Sequence, residues 1–271
     1  MEFGIRSDTG QVRENNEDSF RLAPELNLFV LSDGMGGQAS GEVASRLAAE
    51  TIVKHCRDAV LNPSLALVGQ RIEGVSESTN RLASAVRLAN QVVHAEAEKS
   101  LARLGMGATV VAAQLDGERM SLAHVGDSRA YRLRGVEIEQ LTQDHSFVAE
   151  QVRKGAMTPI EAENSKLQSV LLRALGPDAE VEVEVNEELV MEGDTLLLCS
   201  DGLTRELSDA QIAAVLSDTE DEQEAADRLI ELANQAGGGD NVTVIVMRSS
   251  LKPVGAFAKI GRWFKGSEES S

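Results

Sequence analysis

Short apolar runs that lead to an acidic residue recur along this sequence, and they limit its possible folds more than any other feature. The first run, Leu28 to Leu31, leads to Asp33 in a glycine-rich turn. Four further carboxylate positions stand out, namely Glu17 with Asp18, Asp127, Asp201 and Asp240. Carboxylates from separate strands meet only if the strands share one system of sheets, and together they repel one another unless cations neutralise them. The sequence therefore predicts sheets whose strand ends form an acidic site.

The turn after the first run suits a metal ion. Glycines at positions 34, 36 and 37 remove side chains that would crowd a ligand, and they allow positive φ where the chain reverses. Asp33 offers two oxygens and the Gly34 carbonyl a third, which is the oxygen ligation that Mg2+ and Mn2+ prefer. For a lone Asp-Gly, an ordinary strand-to-turn corner is the better interpretation. The repetition of acidic strand ends favours the metal.

Seven motifs occur in a fixed order along the chain. They are Asn-Asn-Glu-Asp (15–18), Asp-Gly-Met-Gly-Gly (33–37), Gly-Asp-Ser-Arg (126–129), Leu-Thr-Gln-Asp-His-Ser (141–146), Arg-Ala-Leu-Gly (173–176), Ser-Asp-Gly-Leu (200–203) and Gly-Gly-Asp-Asn-Val-Thr (238–243). Through these motifs, residues 3 to 248 resemble the bacterial form of the metal-dependent serine/threonine protein phosphatases of type 2C. The resemblance implies an α+β fold, in which a central antiparallel β-sandwich is flanked by α-helix layers, four layers in all, with metals at one end between the sheets.

The resemblance also implies an activity. It predicts metal-dependent hydrolysis of phosphoserine and phosphothreonine in proteins by a water that two metal ions activate, in reversal of a cellular Ser/Thr kinase. Phosphoprotein substrates, and such a kinase or its targets, are the expected partners. The expected cofactors are two tightly bound Mn2+ or Mg2+ ions and a third, looser ion. Two alternatives remain open: a non-enzymatic metal-responsive module on the same fold, and hydrolysis of a small phosphoester.

Six carboxylates and one carbonyl are the expected metal ligands. One cation is expected to bind Asp33, Asp201 and Asp240, and a second to bind Asp33, the Gly34 carbonyl, Glu17 and Asp18, largely through water. Asp18 could instead orient a coordinated water. The family resemblance implies that Asp127 and Asp201 can hold the third ion. Without it, Asp127 would be a hairpin-corner residue that satisfies its own backbone.

Arg13 is the expected phosphate-binding residue, because the resemblance implies a guanidinium there that can fork onto two phosphate oxygens. With Asp33 it forms the expected catalytic pair. Without the resemblance, a surface arginine is the simpler interpretation. Some family members have histidine where Met35 stands, and methionine cannot donate a proton to the leaving group, so a coordinated water is the expected acid. His124 and His145 are expected to be structural.

Residues 146–172 resemble the flap beside the active site of bacterial members, and we expect this flap to contact the substrate protein. Many members carry a His-Pro-containing stretch before the Arg-Ala-Leu-Gly motif, whereas residues 164–169 here are Asn-Ser-Lys-Leu-Gln-Ser. The substrate preference of the flap is therefore open.

Hydrophobic periodicity predicts the individual elements. Helices are expected from Glu42 to about Val60 and from about Ser78 to Leu104, the second with Leu101 in its buried stripe. Between residues 107 and 142 the period changes to two, which predicts an antiparallel meander. Further predicted elements are short helices at 147–153 and after Thr158-Pro159, strands at 181–185, 195–200 and 242–248, and helices from about Ser208 and Glu222.

One catalytic domain is expected over residues 1–249, because no low-complexity linker interrupts it and 42% hydrophobic residues can form a sizeable core. The start lacks a signal-peptide pattern, no apolar run of about 18 residues occurs, and Cys56 and Cys199 cannot form a disulfide framework. We therefore expect a cytoplasmic protein, and a monomer. The net charge of -18 argues against a nucleic-acid ligand.

The C-terminal tail, residues 250–271, lies beyond the resemblance. Residues 252–266 contain four basic side chains and no acidic one, and Phe257, Ile260 and Phe264 would share one face of a helix. Such a segment could bind an anionic membrane or a partner groove, or fold back on its own acidic domain. Gly255 and Gly261 weaken a helix, which favours intramolecular docking or disorder over membrane contact.

Overall fold

Two antiparallel β-sheets form the centre of the protein. The computed structural model describes residues 2–36, 40–103 and 105–249. The first sheet has the strand order β1 (Glu2–Asp8), β11 (Val242–Arg248), β10 (Thr195–Cys199), β7 (Arg129–Arg134) and β8 (Glu137–Gln140). The second has the order β2 (Asp18–Ala23), β3 (Leu28–Met35), β5 (Val110–Asp116), β6 (Arg119–Val125) and β9 (Glu184–Leu189), and the short β4 (Gly107–Ala108) pairs with the end of β3.

The central strands are apolar on both faces because each sheet is covered on both sides. In β3, Phe29 and Leu31 pack in the core between the sheets, whereas Leu28 and Val30 pack in the core under the helices. All four side chains are at most 1% exposed. A strand that is buried on both faces reads as a continuous apolar run, which is the run seen at residues 28–31.

Helices form the two outer layers. α1 (Ser40–Leu61) and α2 (Glu77–Ala97) pack on the second sheet, and α5 (Asp201–Thr204), α6 (Asp209–Asp218) and α7 (Glu222–Ala236) pack on the first. The flap contains α3 (Phe147–Arg153) and α4 (Pro159–Glu163), and 3-10 turns occupy Pro24–Leu26 and Leu101–Arg103. This order of layers confirms the predicted α+β sandwich.

Side-chain caps fix where several helices begin. Ser76 accepts a hydrogen bond from the Thr79 N–H at the start of α2, and Asp221 accepts one from the Glu224 N–H at the start of α7. Ser208 forms a reciprocal capping box at the start of α6. Such caps satisfy N–H groups that have no partner inside the helix. The starts predicted near these positions are confirmed.

The end predicted for the second helix is wrong. α2 ends at Ala97, and Leu101 lies in the following 3-10 turn with 87% of its surface exposed. Residues 98–100 are Glu-Lys-Ser, so no apolar side chain continues the buried stripe beyond Ala97. Lys99 and Arg103 both pair with Glu96 at this end, and the chain then turns towards β4.

The meander predicted between residues 107 and 142 is wrong in its connectivity. β5 and β6 form a hairpin in the second sheet, but β7 and β8 form a hairpin in the first. The chain crosses between the sheets at Gly126, whose φ is +107°, and a Cβ there would lie 2.6 Å from the Thr109 side chain. Periodicity reports which face of a strand is buried, but not which sheet the strand joins.

The strand predicted at residues 181–185 begins later than expected. β9 pairs with β6 from Glu184 to Leu189. Val181, Val183 and Val185 all pack on the core that α1 and α2 cover, so the alternation correctly indicated the buried face. The first two of them precede the hydrogen-bonded ladder.

Three further observations bear on the sequence-based expectations. In the described part of the chain, no helix is both long enough and apolar enough to cross a membrane. Cys56 and Cys199 are buried free thiols. The tail at 250–271 and Gly37 lie outside the described residues.

Candidate metal centre

The acidic residues meet at one end of the sandwich, where strands of both sheets begin or end. Asp18, at the start of β2, lies directly opposite Asp33, near the end of β3. Asp201 follows β10 and starts α5, and Asp240 precedes β11 by two residues. Asp127 lies where the chain crosses between the sheets. The sheet topology thus brings together groups that are far apart in the sequence.

A cavity of about 200 Å³ opens at this end. All predicted site residues line it except Asp18, which lies behind its wall and accepts a hydrogen bond from the Ser200 hydroxyl. The walls also include Met35, Thr109, Ser169, Leu171, Arg205 and Asn241. A larger cleft of about 840 Å³ shares Asp127, Asp201 and Arg205 with this cavity and runs between the flap and the start of α6.

The side chain of Asn241 binds the loop between β1 and β2 at three points beside the cavity. Its Oδ1 accepts the Glu17 N–H at 2.8 Å, and its Nδ2 donates to the carbonyls of Thr9 and Asn15 at 2.9 and 2.8 Å. Asn241 is 5% exposed. The amide therefore orients the backbone that carries Glu17 and Asp18.

The contact between β3 and α1 requires glycine at position 34. A Cβ on Gly34 would lie 2.1 Å from the Gly41 carbonyl oxygen, well inside van der Waals contact. The Gly34 N–H donates to the Glu17 carbonyl at 3.1 Å, and the Ser45 hydroxyl donates to the same carbonyl at 2.6 Å. The start of α1, the end of β3 and the acidic loop before β2 are therefore fixed relative to one another.

Burial raises the pKa values of four clustered carboxyl groups, those of Asp18, Asp33, Asp127 and Asp201. It is the largest cause for each of them, and repulsion from neighbouring carboxylates adds to it. The pKa of Asp18 is raised to about 7 and that of Asp127 to about 8, and the pKa of Asp33 is raised well above its ordinary value. Burial also raises the pKa values of Asp201 and Glu17, with Arg205 and Arg13 respectively opposing it.

The donor set fits hard divalent cations. The Oδ1 atoms of Asp18 and Asp201 are buried and have no hydrogen-bond partner among the described residues. An unpartnered buried oxygen is costly, and a cation both satisfies it and offsets the repulsion between carboxylates. Every donor is an oxygen, the ligand type that Mg2+ and Mn2+ prefer.

Two arginines lie at the rim of the cavity. Arg13 Nη2 lies 2.8 Å from Asp240 Oδ2, and Arg205 Nη1 lies 3.2 Å from the same oxygen. Arg205 also pairs with Asp201, four residues earlier. Sequence reasoning missed Arg205, although a basic residue four positions after a site carboxylate, in a helical stretch, was a usable signal. It also missed Ser200, whose hydroxyl donates to Asp18, and Asn241, which accepts the Glu17 N–H.

A second group of potential ligands lies outside the cavity. His124, His145 and Glu184 place ligand atoms within 4.8 Å of one another. His145 Nδ1 accepts the Gly126 N–H at 3.1 Å, so its Nε2 carries the hydrogen and donates it to Glu184 at 3.1 Å. His124 Nε2 donates to the Gln143 carbonyl. Both rings are therefore engaged in hydrogen bonds within the fold rather than poised to bind a cation.

Comparison with known proteins agrees with the fold. A model of the protein phosphatase 2C family matches residues 10–237. The serine/threonine phosphatase stp of Listeria innocua is 36% identical over 94% of this chain and 98% of its own length. The serine/threonine protein phosphatase PstP of Mycobacterium tuberculosis is 41% identical over 91% of this chain, which spans only 44% of that protein. A structure of the catalytic domain of PstP with two manganese ions has a TM-score of 0.76 and 40% identity, covering 90% of this chain and 96% of the other.

An antiparallel sandwich between helix layers, with oxygen donors for divalent cations at one end, defines a class of metal-dependent hydrolases. Within that class, this chain belongs to the protein phosphatase 2C family. It is therefore an enzyme, a protein phosphatase, and the predicted family is confirmed.

Proposed function

We propose that this phosphatase hydrolyses phosphoserine and phosphothreonine in proteins with the help of divalent cations. The observation that carries the proposal is the buried carboxylate cluster, in which two oxygens have no partner among the described residues. The relatives from Listeria and Mycobacterium are named serine/threonine phosphatases, and one related structure contains two manganese ions. These similarities support the same substrate class and cofactor for this chain.

The carboxylate cluster is proposed to hold two cations, Mn2+ or Mg2+. Asp33 would contact both, Asp201 and Asp240 would complete one site, and Glu17, Asp18 and the Gly34 carbonyl would form the other. Asp127 and Asp201 are proposed to hold a third, looser ion. When bound, such cations lower the pKa of a coordinated water and offset the charge of the phosphate.

The two arginines at the rim are proposed to have different roles, Arg13 in binding phosphate and Arg205 in orienting carboxylates. Arg13 is half exposed, so its guanidinium can turn from Asp240 to a phosphate and donate two hydrogen bonds to it. Arg205 is more buried and pairs with both Asp201 and Asp240, so it would keep these carboxylates oriented. Met35, in the cavity wall, offers no proton to the leaving group.

Replacement of Asp33 by asparagine tests the proposal. With a phosphothreonine peptide and p-nitrophenyl phosphate as substrates, Asp33→Asn should lower kcat/KM about a thousandfold, or roughly 4 kcal/mol of barrier. Manganese titration of the same variant should show weaker binding. Asp116→Asn is the matched control, because Asp116 is exposed at the β5–β6 hairpin. Activity that survives EDTA, or that Asp33→Asn leaves intact, would contradict the proposal.

The cellular setting is part of the same proposal. We propose that residues 1–249 form the catalytic domain, and that the enzyme acts as a cytoplasmic monomer and reverses a Ser/Thr kinase. The cleft of about 840 Å³ beside the cavity is larger than a phosphate needs, which supports a protein substrate. Higher kcat/KM on nucleotides than on phosphopeptides would favour a small phosphoester instead. A phosphoproteome with and without the protein would identify its substrates.

A further inference from the structure

Both ends of the flap are attached to the sandwich at one residue, His145. The His145 N–H donates to the Gly126 carbonyl at 2.9 Å, and the His145 carbonyl accepts the Leu172 N–H at 2.7 Å. The Phe147 N–H then donates to the Val170 carbonyl at 2.8 Å, which continues the pairing of the two flap ends. His145 therefore joins the entry and exit of the flap to the turn that precedes Asp127.

The imidazole of His145 adds a third link to that turn. The ring is 3% exposed, and its Nδ1 accepts the Gly126 N–H at 3.1 Å. Its Nε2–H donates to Glu184 on β9, and its face stacks on His124 at 4.8 Å between centroids. Burial lowers the pKa of His145, which favours the neutral form that can accept from Gly126. The nearby Arg173 guanidinium, 3.4 Å from Nε2, disfavours a second positive charge.

The turn held by this ring sits between two site carboxylates. On its other side, the Thr109 hydroxyl lies 2.7 Å from the Ser128 hydroxyl and accepts the Asp33 N–H at 3.1 Å. Gly126 has a φ of +107°, a conformation that favours glycine. Because glycine has no side chain to anchor the turn, the hydrogen bonds of its backbone hold the turn in place. His145 supplies both of the bonds that Gly126 makes to the flap base. The same flap contributes Ser169 and Leu171 to the wall of the metal cavity.

We infer that His145 is a positioning residue that fixes the flap and the Asp127 carboxylate relative to each other through its Nδ1 bond to Gly126. The inference rests on the proposed function, because it gives Asp127 a role in turnover. Without the Nδ1 acceptor, only the bond from the His145 N–H to the Gly126 carbonyl links these two residues, and the Gly126–Asp127 turn is held less firmly against the flap. The acceptor therefore matters for turnover more than for the binding of substrate by Arg13.

Two conservative substitutions separate the acceptor from the rest of the ring. In His145→Asn the amide oxygen can occupy the place of Nδ1 and accept from Gly126, whereas in His145→Gln the amide reaches the place of Nε2 and serves Glu184. On p-nitrophenyl phosphate, kcat should fall about tenfold in His145→Gln and stay within about threefold of wild type in His145→Asn. KM should change little in either. His55→Asn is the control, because His55 is a buried imidazole on α1 that bonds to Ser84 away from the flap.

Amide hydrogen exchange of Gly126 in the metal-free protein gives a readout that does not depend on activity. Exchange should be about tenfold faster in His145→Gln and close to wild type in His145→Asn. If the protein proves inactive on phosphoesters, this difference still tests the link, so the two proposals fail separately. Equal exchange and equal kcat in the Asn and Gln variants would overturn the inference and leave His145 as packing.

Glu184→Ala keeps the test decisive if the His145 variants do not fold. It leaves the imidazole in place, removes the acceptor of Nε2–H, and changes a side chain that is 37% exposed. The ring should then lose its orientation, with faster Gly126 exchange and lower kcat at unchanged KM. Unchanged values of both in Glu184→Ala, together with unfolded His145 variants, would also overturn the inference.

Discussion

The metal-free protein should become more stable when Asp18 is replaced by asparagine, although the enzyme should lose activity. Burial raises the pKa of Asp18 from 3.8 to about 7. Because the pKa in the folded state exceeds the unfolded value, the folded state retains a proton that the unfolded state has released, and stability falls as pH rises from about 4 to about 7. The difference between a pKa of 3.8 and one of about 7 corresponds to roughly 4 kcal/mol of stability lost above pH 7. Asparagine carries no charge to bury, so it avoids this loss.

The pH dependence isolates the effect from any change in packing. Roughly 2 kcal/mol of the loss is already present at pH 5, so wild type should lose about 2 to 3 kcal/mol more than Asp18→Asn between pH 5 and pH 8. Urea unfolding in EDTA at both values measures the difference, and Asp116→Asn should follow wild type. Saturating Mn2+ should reverse the order of stability, since it binds the wild-type folded state more tightly. Equal losses in wild type and Asp18→Asn would refute the reasoning.

Two further predictions concern other residues of the centre. Asp127→Ala should stay folded and bind two Mn2+ ions, while kcat falls at least about tenfold. If the variant keeps the metal stoichiometry and the turnover of wild type, Asp127 has only a structural role where the chain crosses between the sheets. Asn241→Ala removes the acceptor of the Glu17 N–H and the donors to two carbonyls, so it should lower the free energy of unfolding by about 2 to 3 kcal/mol. Chemical denaturation measures this change, and a loss below about 1 kcal/mol would contradict it.

Much of the fold could be predicted because a strand that is buried on both faces appears in the sequence as a continuous apolar run. The run from Leu28 to Leu31 is apolar since α1 and the other sheet cover the two faces of β3, and the glycine at 34 is required by the close approach of Gly41. The acidic residues could be collected because each lies beside the start or the end of a strand. Ordered motifs, rather than any single residue, indicated the family.

The remaining features depend on contacts that no local pattern records. The crossing at Gly126 places two adjacent hairpins in different sheets, and only the fit of Thr109 against that glycine indicates where the chain leaves the first of them. Arg205 belongs to the centre because it follows α5 directly and its guanidinium donates to Asp240, which is 35 positions further along the chain. The linking role inferred for His145 depends on partners at positions 126, 172 and 184, so neither helical nor strand periodicity could have revealed it.

The position of β11 has a consequence for biosynthesis. It is the last strand of the described chain, yet it lies between β1 and β10, and its pairing with β1 joins Glu2 to Arg248. Contacts across such a sequence separation form late, because the closure of a long loop precedes any gain from pairing. While the chain emerges from the ribosome, β1 therefore lacks its pairing strand β11, and Asp240 is not yet available to complete the acidic cluster. Nascent chains should consequently remain without hydrolytic activity until almost the whole sandwich can close, so that capture of the metals marks the end of folding rather than its beginning.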